Sequence, residues 1–346
     1  MRRRRRGWAR LPDGSHRFAL SLPEAGATRV SDAASLERSL SARLVQPLVR
    51  ALSNARVWVV SPDDALTALP FEMLSLAGRR VVSRHEVRYV QTLAIHRLVE
   101  ERHAVLSTLP RRSSVLSIGA ARYGIDAAAL ANQHPASPAR RGDEAGRALD
   151  ALGIVWPPLP AASREIDAVA ASFRNAEAWK GELATERRLL ARNRTGGLAD
   201  YRYLHFATHG YLSPAAPLLS AIVLDQVDRD AQTDGYVTAT ELLGYTFASN
   251  LAVLSACDTG RGALVQGEGI IGLPFAFFVA GNADALVSLW PVYDESTATF
   301  IERFFARVAR GAGHAQALAA VKREFAADPA TADPVHWAGF VLYGTR

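Results

Sequence analysis

Two short apolar runs, each closing on a glycine, constrain this chain more than any other feature: YRYLHFATHG at 201–210 and LAVLSACDTG at 251–260. Both are rich in β-branched, aromatic and leucine residues, and helix-compatible sequence separates them, so each reads as a buried strand of a parallel sheet. In open α/β sheets the functional groups gather in the loops beyond the carboxyl ends of the strands. His209 and Cys257 both sit at such an end, and Cys257 is the one cysteine in the chain.

The same alternation extends in both directions. Residues 31–53 place Leu36, Leu40, Leu44, Leu48 and Leu52 on one helical stripe, which Pro47 should bend or interrupt. A strand is expected at 57–60, a hairpin at 81–90, a helix at 92–106 and a strand at 114–120. Beyond residue 160 come a helix at 163–174, a strand at 176–180 and a helix opening at Thr185. The His209 run, a strand at 220–225 and a short helix beginning near Thr238 follow. After the Cys257 run come a helix at 269–280, the strand ALVSLW, helices at 294–310 and 313–327, and the last strand GFVLY. Strand alternating with helix implies right-handed crossovers and a mostly parallel sheet sandwiched by helices. No repeat of solenoid period is present, and in particular no tetratricopeptide unit.

Hydrophobic content of 49% with 21% charged residues is that of an ordinary globular protein, and no run of 18 uncharged apolar residues offers a membrane span. The net charge of +6 belongs to Arg2–Arg6: without those five the 40 basic residues fall to 35, against 34 acidic. A dedicated nucleic-acid site is therefore not expected, and residues 1–25 read as a disordered basic tail. One cysteine forms no internal disulfide and no apolar segment follows the arginines, which points to the cytoplasm.

His209 and Cys257 lie about 50 residues apart, the separation usual for caspase-type cysteine proteases. HFATHG and SACDTG resemble the two catalytic motifs of the CHAT family, bacterial relatives of caspases and separases. The resemblance continues through WVVSPDDALTALPFEML at 58–74, PPLPAASREIDAVAASF at 157–173, GEGIIGLPFAFFVAGNADALVSLWP at 267–291 and WAGFVLYG at 337–344. It implies a catalytic caspase-like unit over 158–346, preceded by a smaller inactive caspase-like α/β half over 26–124. Residues 125–157, aperiodic and rich in Ala, Arg, Gly and Pro, read as a flexible linker whose Arg140-Arg141-Gly142 is open to self-processing.

The resemblance also assigns roles. Cys257 is the expected nucleophile and His209 the general acid/base, chemistry that suits a thiol and an imidazole near neutral pH. The N–H groups of Gly210 and Cys257 are the expected oxyanion hole, with Gly210 able to adopt a conformation closed to other residues. Beyond the resemblance, position after the strand ends makes Asp225, Asp258, Trp290 and Asp294 candidate walls of the substrate pocket, with Glu268 a pocket or helix-capping residue; the aspartates would favour a basic residue before the scissile bond. A protein substrate, an activating protein partner, and a role in prokaryotic stress or defence are further implications of the resemblance. The rival reading is a catalytically silent caspase-like interaction module.

Three other motifs lead elsewhere and are set aside. His205 and His209 form H-x-x-x-H, but Phe206 stands where a zincin has Glu, and residues i and i+4 of a strand are about 13 Å apart, so no metal site is expected. His205 is expected to be structural, on the same strand face as His209. Gly267–Gly272 matches G-x-G-x-x-G without a preceding strand, so no dinucleotide cofactor is expected. Ser255 and Ser288 lack the G-x-S-x-G elbow of a serine hydrolase.

Overall fold

The structure is a computed structural model. It describes residues 7–10, 16–19, 33–109, 114–123, 154, 156–211, 213, 216–230, 232–255, 268–290 and 292–345. The side chains at 7–10, 16–19, 33, 64, 93, 114 and 268–271 fall outside that set. Cys257, Asp258, Gly267, Arg2–Arg6 and the expected linker, apart from its last residues, lie outside the described residues.

Strands β1 (Gly7–Arg10) and β2 (His16–Ala19) pair antiparallel from Gly7↔Ala19 to Arg10↔His16. Both lie within residues 1–25, the stretch expected to be a disordered basic tail. Helix α1 (Ala33–Leu40) runs through a π turn at Ser41–Val45 and a 3-10 turn at Gln46–Leu48 into α2 (Val49–Leu52). Pro47 lies in the 3-10 turn, where its missing N–H breaks the helical ladder.

Next come β3 (Val57–Val60), β4 (Ser75–Leu76), β5 (Arg79–Arg80) and β6 (Glu86–Tyr89). The hairpin is β4–β5, turning on Ala77 and Gly78, both at positive φ. The expected hairpin at 81–90 is absent. Val81–Ser83 is a 3-10 turn, and β6 pairs parallel with β3.

The remaining elements in chain order are α3 (Leu93–Thr108), β7 (Ser114–Gly119), α4 (Ala162–Ala171), β8 (Asn175–Lys180), α5 (Glu186–Arg194), β9 (Tyr203–Ala207) and β10 (His209–Tyr211). After them follow β11 (Ala221–Val223), β12 (Tyr236–Thr238), α6 (Ala239–Leu242), β13 (Leu251–Leu254), α7 (Glu268–Val279), β14 (Asp284–Ser288), α8 (Asp294–Ala309), α9 (His314–Ala327) and β15 (Phe340–Tyr343). Caps fix several helix starts. Thr92 and Thr185 accept the N–H of Ile95 and Arg188, and Thr238 forms a reciprocal capping box with Glu241.

Eight strands form one sheet in the order β3-β6-β15-β14-β13-β9-β7-β8. Every neighbouring pair is parallel except β14–β15. The sheet is therefore two parallel blocks running in opposite senses, and the expected mostly parallel α/β architecture is observed. Both the 26–124 and the 158–346 stretches contribute strands to it.

Alternate residues of the central strands feed two cores. Leu204, Phe206, Ala252, Leu254, Ala285 and Val287 face one with Phe277 of α7, while Tyr203, Leu251, Val253 and Leu286 face the other with Phe300 and Phe304 of α8. Burial on both faces explains why these strands are apolar throughout instead of alternating. Phe300 stacks on Phe340 with centroids 4.3 Å apart, locking α8 onto β15.

A second, three-stranded antiparallel sheet, β10-β11-β12, was not foreseen. The strand expected at 220–225 belongs to it. Gly272, the last glycine of the G-x-G-x-x-G run, lies inside α7. A Cβ there would stand 2.2 Å from the Pro217 carbonyl oxygen, so this glycine serves close packing.

Candidate active site

The carboxyl ends of β7, β8, β9, β13 and β14 share one rim of the sheet. At that rim β9 ends at Ala207, Thr208 turns the chain, and His209 opens β10, paired with Val223 of β11. The turn is tightly supported: Ala120 N donates to Ala207 O over 3.2 Å, and a Cβ on Gly119 would stand 2.0 Å from that oxygen.

The His209 ring is fully buried. Its Nε2 is 2.6 Å from the carbonyl oxygen of Pro157, which can only accept, so Nε2 carries the hydrogen. In neutral imidazole the lone pair then belongs to Nδ1. Tyr123 meets the ring edge-on at 4.6 Å and Trp156 leans on it at 5.2 Å. Tyr123 also accepts the His209 N–H at 3.3 Å, and Trp156 Nε1 donates to Tyr236 of β12 at 3.2 Å. Burial raises the Tyr123 phenol far above its ordinary range, so it stays neutral.

Strand β13 runs beside β9 in register, with Leu254 opposite Phe206. Ser255 N donates to Phe206 O over 3.1 Å, and its hydroxyl reaches the same oxygen at 3.3 Å. Cys257 follows two residues later in sequence, outside the described set, as does Asp258. Glu268 is the first residue of α7, and its side chain is outside that set.

Gly210 pairs with Ile222 in an ordinary strand and is not among the glycines of positive φ. The expected special backbone conformation is therefore corrected: extended backbone needs no glycine for its φ. Asp225, two residues beyond the partner of His209, is buried and fully engaged. Its Oδ1 accepts from Arg122 Nε at 2.9 Å and Arg122 N at 3.2 Å, and its Oδ2 from Arg122 Nη2 at 3.0 Å and Asp228 N at 2.8 Å. Four donors fill the acceptor capacity of a carboxylate, so Asp225 has no lone pair left for a substrate cation.

Trp290 is also committed. Its Nε1 donates to Val335 O at 3.2 Å, and its ring fills the place a Cβ on Gly339 would take. Asp294, first residue of α8, accepts the N–H of Ala161 at 2.7 Å. Burial, with help from the carboxylates of Glu165 and Glu295, raises its pKa against the opposing Ala161 N–H and Arg164.

His205 faces a different core from His209, which corrects the expected shared face. It lies 5.4 Å from the Phe305 ring, with Nε2 2.7 Å from Glu165 Oε1 and Nδ1 2.6 Å from Ser117 Oγ. Among the described residues no group of three or more His, Cys, Asp or Glu is arranged to hold a metal. No helix among them is long and apolar enough to cross a membrane. Sequence reasoning assigned no role to Tyr123, Trp156 or the Pro157 carbonyl, although Pro157 opened a segment it had singled out.

The family model of the CHAT domain matches residues 35–345. Mouse and human tetratricopeptide repeat protein 28 are 26% and 27% identical over 226 and 227 residues, each match covering 55% of this chain. The chain spans 9% of the length of these relatives. Among solved structures, the Saccharomyces cerevisiae separase–securin complex aligns with TM-score 0.42 at 14% identity, covering 80% of this chain and 15% of that one. The Arg-specific cysteine proteinase gingipain R aligns with TM-score 0.49 at 7% identity, covering 92% and 68%.

Proposed function

Because the chain belongs to the CHAT domain family, we propose that it is a cysteine endopeptidase with Cys257 as nucleophile and His209 as proton carrier. The observation that carries this reading is the state of His209: its Nε2–H is committed to a backbone carbonyl at the sheet's carboxyl rim, which makes Nδ1 the basic nitrogen. The register supports the pairing. Ser255 is bonded to Phe206, three residues before His209, and two residues of chain reach at most about 7 Å from Ser255 to Cys257.

In the proposed reaction the thiol proton passes to His209 Nδ1 as sulfur bonds to the substrate carbonyl carbon. The N–H groups of Gly210 and Cys257 receive the oxyanion. Collapse breaks the C–N bond, and His209 returns the proton to the departing amine. Water, deprotonated by His209, then cleaves the thioester and frees the carboxylic acid and the thiol. No cofactor is required. The proposed setting is cytoplasmic, with a protein substrate and activation by a protein partner in a prokaryotic stress or defence pathway.

The test is labelling by peptidyl electrophiles that differ in the residue before the warhead, on wild type and Cys257→Ala, with and without cell extract as a source of activator. Wild-type labelling that disappears in Cys257→Ala is the expected result. No labelling under any condition would favour the silent interaction module.

A further inference from the structure

The segment that holds His209 is nearly featureless to its own backbone. Of residues 157–160 three are proline, so φ is fixed at 157, 158 and 160 and those positions have no N–H to give. Such a stretch behaves as a short stiff rod, and a displacement at one end reaches the other instead of being absorbed. At one end Pro157 O accepts from His209 Nε2 at 2.6 Å. At the other, the first N–H after the prolines, that of Ala161, is given to Asp294 Oδ2 at 2.7 Å.

The helix that continues from Ala161 is held separately. Glu165 of α4 binds His205 of β9, which in turn contacts Ser117 of β7, all three buried. This contact fixes α4 against the sheet; Ala162 N of α4 donates to Leu159 O at 3.2 Å, and Asp294 takes the N–H of Ala161 between them. Arg164 of α4 and Glu295 of α8 pair beside it, so Arg164, Glu165 and Glu295 are the charges that bear on the Asp294 carboxylate.

We propose that Asp294 is a positioning residue: by accepting the Ala161 N–H it seats the proline rod, and the Pro157 carbonyl at the far end then holds the His209 hydrogen on Nε2. The consequence for turnover rests on the peptidase reading above; the consequence for His209 does not. Asp294 thereby links the start of α8 to the imidazole through a short proline segment whose Leu159 carbonyl accepts the Ala162 N–H.

The experiment reads the ring directly. Long-range 1H–15N NMR on the full chain with 15N-labelled histidine gives the His209 tautomer, assigned by its absence in a His209 variant. Wild type should show the Nε2–H form, and Asp294→Asn, which keeps an acceptor oxygen, should match it. Asp294→Ala should shift the ring toward Nδ1–H and lower kcat about 10- to 100-fold with little change in KM. Asp294→Leu, which likewise offers the Ala161 N–H no acceptor, should reproduce the Asp294→Ala shift. Asp294→Ala and Asp294→Leu both retaining the wild-type tautomer would overturn the proposal. A shifted tautomer in a protein whose wild type hydrolyses no peptide would instead count against the peptidase reading.

Discussion

His209 of β10 gives its Nε2 hydrogen to the carbonyl of Pro157, 52 positions earlier in the chain. A backbone acceptor sets the tautomer without adding a charge, unlike the carboxylate that fills this place in a Ser-His-Asp triad. With the peptidase reading, this arrangement puts the burden of transition-state stabilisation on the oxyanion donors.

In the proposed site Gly210 supplies one of those donors, and its Cα lies in a strand where alanine is conformationally allowed. Gly210→Ala should therefore fold normally and lower kcat by about 100-fold, the usual loss for an oxyanion-hole donor, with KM within about two-fold. Steady-state kinetics on the best peptide, with circular dichroism as the folding control, checks this; an unchanged kcat would remove Gly210 from the site.

Asp225 was expected to read a basic substrate residue, but its oxygens belong to Arg122 and to the Asp228 N–H. The preference measured on a peptide library should be the same for Asp225→Asn as for wild type. Stability should drop by about 1–3 kcal/mol, because an Arg122 donor and the Asp228 N–H lose a charged acceptor. A change of substrate preference at unchanged stability would restore Asp225 to the pocket.

The parts of this fold that sequence revealed are those encoded by local pattern. Apolar runs with flanking caps located nearly all the main-sheet strands and the helices, because a strand buried on both faces and a helix opened by Thr185 or Thr238 each leave a local signature. Strand direction leaves none: β15 reads like any other apolar run, yet it is antiparallel to β14. The site's partners are equally nonlocal. Arg122 finds Asp225 across 103 positions, and the acceptor for His209 is a carbonyl that every residue possesses.

Glu186 is buried at the first turn of α5 and accepts the Gly235 N–H at 2.8 Å. Burial, with the nearby Glu241 carboxylate, raises its pKa from 4.5 to about 9 despite that hydrogen bond. The folded chain thus keeps a proton that the unfolded chain releases, so stability is greatest below pH 4.5 from this group and declines as pH rises toward 9. Glu186→Gln removes that decline. Urea unfolding at pH 5 and pH 8.5 should show the variant gaining on wild type by at least about 1 kcal/mol across the interval. An equal difference at both values would mean that Glu186 titrates normally.

At the rim opposite His209, Asp284 at the start of β14 gathers three distant segments. Its Oδ1 binds His103 Nε2 of α3 at 2.8 Å and the Thr345 N–H at 3.0 Å, and its Oδ2 binds His314 Nδ1 of α9 at 2.5 Å. Burial alone would raise this carboxyl, but the two histidines outweigh it and hold the pKa at about 2. The stabilisation is therefore present above the ordinary carboxylate range and fades only as pH falls through about 2. Asp284→Asn cannot accept from all three donors and should cost about 3 kcal/mol at pH 7. A loss below about 1 kcal/mol in denaturant unfolding would show that the trio contributes little.

Lys322 of α9 and Glu72, in the PFE segment of the first hundred residues, form a buried ion pair at 2.6 Å, and Tyr89 of β6 donates its hydroxyl to the same carboxylate. The pair ties the amino-terminal strands to the last helix before β15. Desolvation lowers the Lys322 pKa although Glu72 opposes it, the mark of a charge placed in the core at a cost. Removing one partner leaves the other charge buried alone, so Lys322→Met should destabilise by about 3–5 kcal/mol. Replacing both charges removes that penalty, so adding Glu72→Gln, which still accepts from Tyr89, should restore a large part of the loss. A double-mutant cycle by urea unfolding decides it: additive losses would mean that the two side chains act independently, and recovery in the double variant would mean that the loss in the single variant is the cost of leaving one buried charge uncompensated.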